Sequence, residues 1–323
     1  MTDVASSGPL VPGSVVPGSE VPGSALAEFQ RHRPALFGIA YRMLGSVGDA
    51  EDVLQDAWLK WSAAAGDGVD HPRAYLARTV TNLSLNRLKS AAVRRESYVG
   101  PWLPEPLVSR EDDAGSAVEQ AEAVSLAMLV VLETLSPLER AVFVLADVFG
   151  YSFGEIAAML DRSETSVRQV GSRARSHVQA RRPRYDAPAD VRRRITDEFL
   201  AACVGGDLNQ MMAMLAPDVA AWTDGGGKIR AALRPVRGAD RVARWLAGVL
   251  RFSPPDAGTA PVLVNGQPGL LITAAGQPDS VAAIDLGADG RITAIRLIRN
   301  PDKLRHIDRE LPASRSSYRS PRG

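Results

Sequence analysis

SFGEIAAMLDRSETSVRQVGSRARSHVQA, residues 152–180, decides how the middle of this chain folds. Glu155–Leu160 reads as a short amphipathic helix and Asp161-Arg162-Ser163 as a turn, with Ser163 a good N-cap for a second helix, Glu164–Ala180. The second helix turns Val167, Val170 and Ala174 inward and presents Thr165, Ser166, Arg168, Gln169, Ser172, Arg173 and Arg175 outward. Arg162 to Arg184 holds seven arginines against one glutamate, so the charge favours DNA. In a helix-turn-helix the early residues of the second helix meet base edges and the later arginines meet phosphates. A plain helical hairpin in a core fits the apolar spacing alone.

Working upstream, Ser136-Pro137-Leu138-Glu139 is a capping box with Pro at the first helical position, and a helix is expected from about Val118 to Leu135. Residues 93–116 lose periodicity around Pro101, Pro104, Pro106 and Glu111-Asp112-Asp113, and read as a linker. Before it, three helical runs are expected. The first begins at Leu26. The second follows Asp49 as N-cap and carries Ala50, Val53, Leu54, Ala57, Trp58 and Trp61 on its apolar stripe. The third opens at His71-Pro72 and runs to about Ser90. Asp49, Glu51, Asp52, Gln55 and Asp56 cluster on the second, which suits a basic protein partner. Arg73, Arg78, Arg87, Lys89, Arg94 and Arg95 dominate the third and its exit, which suits a phosphate backbone. Asn82 and Asn86 share a helix face beside Arg87, and Asn and Arg pair bidentately with base edges. On charge alone, an ordinary solvated helix accounts for the pattern as well.

Downstream, Pro183 to Pro188 is a second break. Helices are expected at Val191–Cys203, Leu208–Leu215 and Ala239–Leu250. Short β runs follow at Val262–Val264, Leu270–Ala274, Val281–Leu286 and Ile292–Ile298. Helices first and an antiparallel meander after them indicate an α+β domain. The first 24 residues repeat Val-Pro-Gly-Ser three times and read as a disordered tail; residues 306–323 read as a second tail.

The whole chain, 323 residues with 45% apolar and 23% charged, fits two or three domains of ordinary globular composition. One cysteine, Cys203, excludes an internal disulfide framework, and four dispersed histidines argue against zinc. No apolar run approaches the ~20 residues of a membrane span, and no secretory signal opens the chain, so a cytoplasmic protein without membrane contact is expected.

Ala35–Leu44 followed by Asp49–Asp56, and Pro72–Leu76 followed by Asn82–Leu88, resemble region 2 of bacterial extracytoplasmic-function sigma factors. Leu135–Arg140, Glu155-Ile156-Ala157 and Val167-Arg168-Gln169 resemble region 4 of the same family. Residues 187–305 resemble the SnoaL-like extension, an α+β cone of the nuclear-transport-factor-2 type, fused to one group of these factors. Three segments carry that match: Trp102-Leu103-Pro104-Glu105-Pro106, Asp224-Gly225-Gly226-Gly227-Lys228 and Asn300-Pro301-Asp302-Lys303-Leu304.

The resemblance implies a multidomain protein: region 2 over 25–92, a linker over 93–117, region 4 over 118–182 and the extension over 187–305. It implies that Asp49, Glu51, Asp52, Gln55 and Trp58 face the β′ clamp helices of core RNA polymerase, while region 4 binds the β flap. Arg78, Asn82, Asn86, Arg87 and Lys89 would face the −10 promoter DNA, with the 63–72 loop near a flipped base. Ser166, Arg168, Gln169, Ser172, Arg173 and Arg175 would face the −35 major groove. Asn86 stands where the family commonly has Asp, and Asp161 where the turn often has Gly. The three marker segments are expected to dock on one another, with Asp224 and Lys228 as an ion pair, and to regulate from between the domains. No catalytic residue, metal or cofactor is assigned. Two other readings stay open: a SnoaL-type cyclase or isomerase using Asp224 with Trp222 lining its cavity, or a small-molecule ligand in the same fold. A helix-turn-helix repressor would leave residues 26–90 unexplained.

Overall fold

The computed structural model describes residues 23–64, 69–110, 124–181, 187–252, 254 and 256–307. The Val-Pro-Gly-Ser repeats, the acidic run at 111–113, the expected helix start at Val118 and residues 308–323 lie outside the described residues.

Three helices come first: α1 (Gly23–Leu44), α2 (Val47–Ala64) and α3 (Pro72–Glu96). Helix α2 starts earlier than expected, and Asp49 lies in its first turn instead of capping it. The Ser46 hydroxyl accepts from Asp49 N at 3.1 Å, and the Glu105 carboxylate accepts from Val47 N at 2.7 Å. Those N–H groups have no partner within the helix, and a carboxylate there also suits the helix dipole. Helix α3 runs on to Glu96 because no Gly or Pro interrupts Ala91–Glu96, so the expected linker begins later.

A two-residue strand, β1 (Val108–Ser109), precedes α4 (Leu126–Leu132) and α5 (Pro137–Phe143). The Ser136–Glu139 capping box forms as expected. One π-helical turn, Val144–Val148, leads to α6 (Phe153–Leu160), which has a second capping box from Ser152 and Glu155. Asp161 closes α6 in the left-handed region at φ 52°, and α7 (Glu164–Arg181) follows. A short polar side chain makes that conformation affordable without glycine. The two helical modules share one apolar core, running from Phe29, Ile39 and Met43 through Leu76 and Val80 to Leu132, Leu145, Ile156 and Val178.

The C-terminal part opens with α8 (Ala189–Gly205) and α9 (Leu208–Met214). Next come β2 (Leu215–Asp224), β3 (Val236–Arg237) and α10 (Ala239–Arg251), then β4 (Gly258–Val264), β5 (Gln267–Ala274), β6 (Gln277–Leu286) and β7 (Ile292–Ile298). The sheet order is β1-β4-β5-β6-β7-β2-β3. Two expectations change here. Strand β2 was not foreseen, and it pairs parallel with β7, so the sheet is mixed and not a simple meander. Strand β1 extends the sheet from within the expected linker, pairing Val108 with Val264.

Alternation along β6 sends Ile284 and Leu286 toward α8–α10, where they join Phe199, Met211 and Val242. The other face carries Val281 and Ala283 and is covered by Leu103 of the linker and Leu126 and Val130 of α4. That third cluster also takes Leu304 and Ile307. His306 meets the Pro106 carbonyl at 2.8 Å and Ile307 is buried, so the expected tail boundary falls inside the packed domain.

Candidate functional site

The helix α3 face carries Arg78, Asn82, Asn86 and Lys89, spaced by helical turns; Arg78, Asn86 and Lys89 are exposed. Arg78, Asn82 and Asn86 line a cleft of about 270 Å³ with Lys60, Tyr75, Thr79 and Leu83. Asn82 departs from the expectation of a DNA-facing side chain: its Nδ2 donates to the Met159 carbonyl of α6 at 3.3 Å. Arg73 also lies over the Tyr151 ring, 5.3 Å from its centre. Arg87 turns away from the other basic residues. Its Nε donates to Asp49 at 2.9 Å, and it also pairs with Asp52. The acidic and basic surfaces are therefore joined by a side chain and not segregated. Side chains of Arg94 and Arg95, and residues 65–68 of the 63–72 loop, lie outside the described residues.

On α2, Gln55 and Asp52 are exposed, and Glu51 pairs with Arg33 at 2.6 Å. Trp58 is half-buried, edge-on to Phe29 with ring centres 5.2 Å apart. On α7, Arg168, Gln169, Ser172, Arg173 and Arg175 are exposed, and Ser166 is half-buried. Its arginines meet local carboxylates: Arg168 pairs with Glu164, Arg173 approaches Glu139 at 3.7 Å, and Arg175 meets Asp147 at 2.8 Å. Arg140, from the segment that starts α5, is buried; its Nε donates to the Leu132 carbonyl at 2.8 Å and it bonds the Met43 carbonyl at the end of α1.

The three marker segments converge as expected, with their ion pairs exchanged. Asp224 is fully buried and pairs with Lys303 at 2.8 Å, while Lys228 pairs with Asp302 instead. The Asp224 carboxylate also accepts from Leu103 N at 2.8 Å, from Gly226 N at 3.1 Å and from the Tyr98 hydroxyl. Lys303 bonds the Leu103 carbonyl and lies 4.0 Å from the centre of the Trp102 ring. The donors offset the cost of burying a carboxylate, and the ammonium on an aromatic face adds to the clamp. Burial, then the adjacent Asp224, pushes the Tyr98 phenol above its ordinary range, so Tyr98 stays protonated as a donor. Asn300 Nδ2 donates to the Tyr98 oxygen at 2.8 Å. Gly226 is required next to it: φ is +60°, and a Cβ would come within 2.3 Å of Asn300 Nδ2.

Asp224 is 0% exposed, and Trp222 packs in the cluster with Leu103 and Leu126, under Arg296 at 5.6 Å.

Two further contacts were missed at the sequence level. Glu105 of the linker caps α2, and its backbone N–H bonds the Gly45 carbonyl at 2.8 Å. Asn265, at the tip of the β4–β5 hairpin, donates to the Tyr41 hydroxyl at 2.8 Å and to the Val124 carbonyl at 3.3 Å, and its Oδ1 accepts from Leu107 N at 3.2 Å. One side chain thus touches α1, the linker and the approach to α4. Asn265-Gly266, both at positive φ, form the tight hairpin turn between β4 and β5.

A three-helix module and a helix-turn-helix module, joined by a linker clamped to an α+β domain, define a sigma-type initiation factor with a fused C-terminal domain. The family "Sigma-70 region 2" matches residues 29–94 and "Sigma-70, region 4" matches residues 125–178. The chain is 40% identical over 290 residues to the ECF RNA polymerase sigma factor SigJ of Mycobacterium tuberculosis (strain ATCC 25618 / H37Rv), covering 86% of this chain and 92% of that protein. It is 31% identical over 287 residues to the probable ECF RNA polymerase sigma factor SigI of the same strain, covering 88% and 96%. The crystal structure of M. tuberculosis SigJ superposes with a TM-score of 0.70 at 36% identity, covering 86% of this chain and 97% of that one. The chain belongs to the extracytoplasmic-function RNA polymerase sigma factor family. It acts in promoter-directed transcription initiation, a role that entails core RNA polymerase and promoter DNA as partners.

Proposed function

We propose that the C-terminal domain holds the two DNA-binding modules in a closed arrangement and that promoter engagement requires their separation. One observation carries this reading: Asn82, on the helix assigned to −10 DNA, is bonded to Met159 in the module assigned to −35 DNA. Two surfaces in contact cannot each lie on its own promoter element along a duplex. The Asp224–Lys303 clamp and Asn265 support the same state, because both tie the linker between the modules to the C-terminal sheet.

In this reading Asp49, Glu51, Asp52, Gln55 and Trp58 meet the β′ clamp helices, and region 4 meets the β flap. A basic polymerase surface that takes Asp49 and Asp52 releases Arg87 toward the phosphate backbone. Arg78, Asn86 and Lys89 then face −10 DNA, with the cleft beside Tyr75 receiving an extruded base. Arg168, Gln169, Ser172, Arg173 and Arg175 face the −35 groove. The protein works in the cytoplasm, and its C-terminal domain regulates without catalysis.

The test is fluorescence energy transfer between dyes on Lys89 and Gln169, with and without core polymerase, alongside run-off transcription from the chain's own upstream region. Transfer should fall when the holoenzyme forms. Lys303→Met should lower it in the free chain and raise transcription. Transfer that is unchanged in an active holoenzyme would sink the closed-state reading.

A further inference from the structure

Ile229–Arg251 contains six arginines and a single acid, Asp240, in a chain whose net charge is only +1. All six, Arg230, Arg234, Arg237, Arg241, Arg244 and Arg251, are exposed. Arg244 meets Asp240 at 2.7 Å; the other five form no ion pair among the described residues. Several arginines of the helical modules are paired instead: Arg33, Arg87, Arg140, Arg168 and Arg175 each meet a carboxylate. A surface kept only for solubility interleaves both signs, whereas a single-sign field steers a charged partner.

The fold places this charge on one border. Arg237 lies in β3, the outermost strand on its side of the sheet. Arg241, Arg244 and Arg251 follow helical spacing along α10, opposite the buried Val242 and Ala243. That stripe covers about 15 Å of helix. The segment also starts beside the helix assigned to −10 DNA. Leu233 packs against Gly100, just beyond the end of α3, and Tyr98 is bonded to Asp224. These contacts place the start of the arginine segment next to the residues that follow α3.

We infer that this arginine border of the C-terminal domain is a second DNA-backbone contact, which adds sequence-independent affinity for duplex flanking the −10 element. The inference rests on the reading that α3 faces promoter DNA. Guanidinium forks match phosphate oxygens, and each phosphate neutralised releases counterions. Charge complementarity and the start of the segment beside the exit of a helix assigned to DNA favour DNA over an acidic protein surface.

The experiment compares the full chain with Arg234→Gln/Arg237→Gln/Arg241→Gln, each as holoenzyme, on a duplex carrying the chain's own upstream region and on a shuffled duplex. Affinity is measured across 50–200 mM salt, and core binding and thermal melting are measured in parallel. About 0.9 of salt slope is lost per phosphate contact, so the triple variant should flatten the slope by about 2–3, with equal fold-losses on both duplexes. Core binding and melting should hold. An unchanged slope overturns the inference; if core binding weakens at the same time, the border serves an acidic polymerase surface. Lys89→Gln is the parallel control. If it changes the slope and the triple variant does not, the border alone fails; if neither does while transcription persists, the reading of α3 fails too.

Discussion

Two ion pairs of this molecule use the same chemistry at opposite depths. Asp224 and Lys303 are 0% and 6% exposed, whereas Glu164 and Arg168 are 47% and 63% exposed. The first sits where the linker meets the C-terminal sheet, the second on the helix assigned to promoter DNA. A buried pair is costly to break because each charge is left in a medium that solvates it poorly, while an exposed pair exchanges readily with water and salt. The lock and the reading surface therefore differ in burial and not in residue type. In the proposed closed state the clamp is the lock, and the exposed carboxylates hold arginines that phosphate would take over.

The strongest way to break the comparison is to remove one member of the buried pair. Asp224→Asn leaves Lys303 without its counter-charge and should cost about 3–5 kcal/mol of stability in denaturant unfolding. Lys303→Met should cost a similar amount, and the double variant should recover part of both losses. Strict additivity of the two losses would show that the pair does not act as a unit.

Gly226 sharpens the comparison at the clamp itself. Gly226→Ala forces a left-handed residue and drives a Cβ into Asn300, which would then lose its hold on the Tyr98 oxygen. Gly150→Ala is the control, with φ +70° and nothing within 4 Å of its Cβ. The control should cost about 1 kcal/mol and Gly226→Ala clearly more, with the difference reporting the clamp contact. Equal costs in unfolding experiments would remove the contact argument.

The same contrast in depth explains what the sequence revealed. The helix-turn-helix, the Ser136–Glu139 box and the left-handed Asp161 were legible because each is decided within about five residues. The convergence of the three marker segments was legible only through family resemblance. Their pairing was not, since Asp224 and Lys228 look like partners along the chain while Lys303 and Asp302 follow β7, the strand beside β2 in the sheet but 79 residues on at Lys303. Strand β2 was hidden because Pro217-Asp218 interrupts its alternation and its parallel partner, β7, lies far along the chain. Glu105 as the cap of α2 and Asn265 as a three-way bridge are long-range in the same sense: no local pattern distinguishes them from ordinary linker and turn residues.

The smallest expected effect lies at the exposed pair. Glu164→Gln removes the carboxylate that Arg168 now holds, one helical turn away. Stability should change by no more than about 0.5 kcal/mol, because a solvated helical pair contributes little. Promoter affinity of the holoenzyme should rise modestly at low salt, since Arg168 no longer exchanges a carboxylate for a phosphate and one negative charge leaves the DNA-facing helix. The gain should shrink as salt is raised, as screening dictates for an exposed charge. A stability loss above about 1.5 kcal/mol, or a fall in affinity, would mean that Glu164 positions Arg168 for DNA instead of competing for it, and the contrast between lock and reading surface would no longer rest on burial alone.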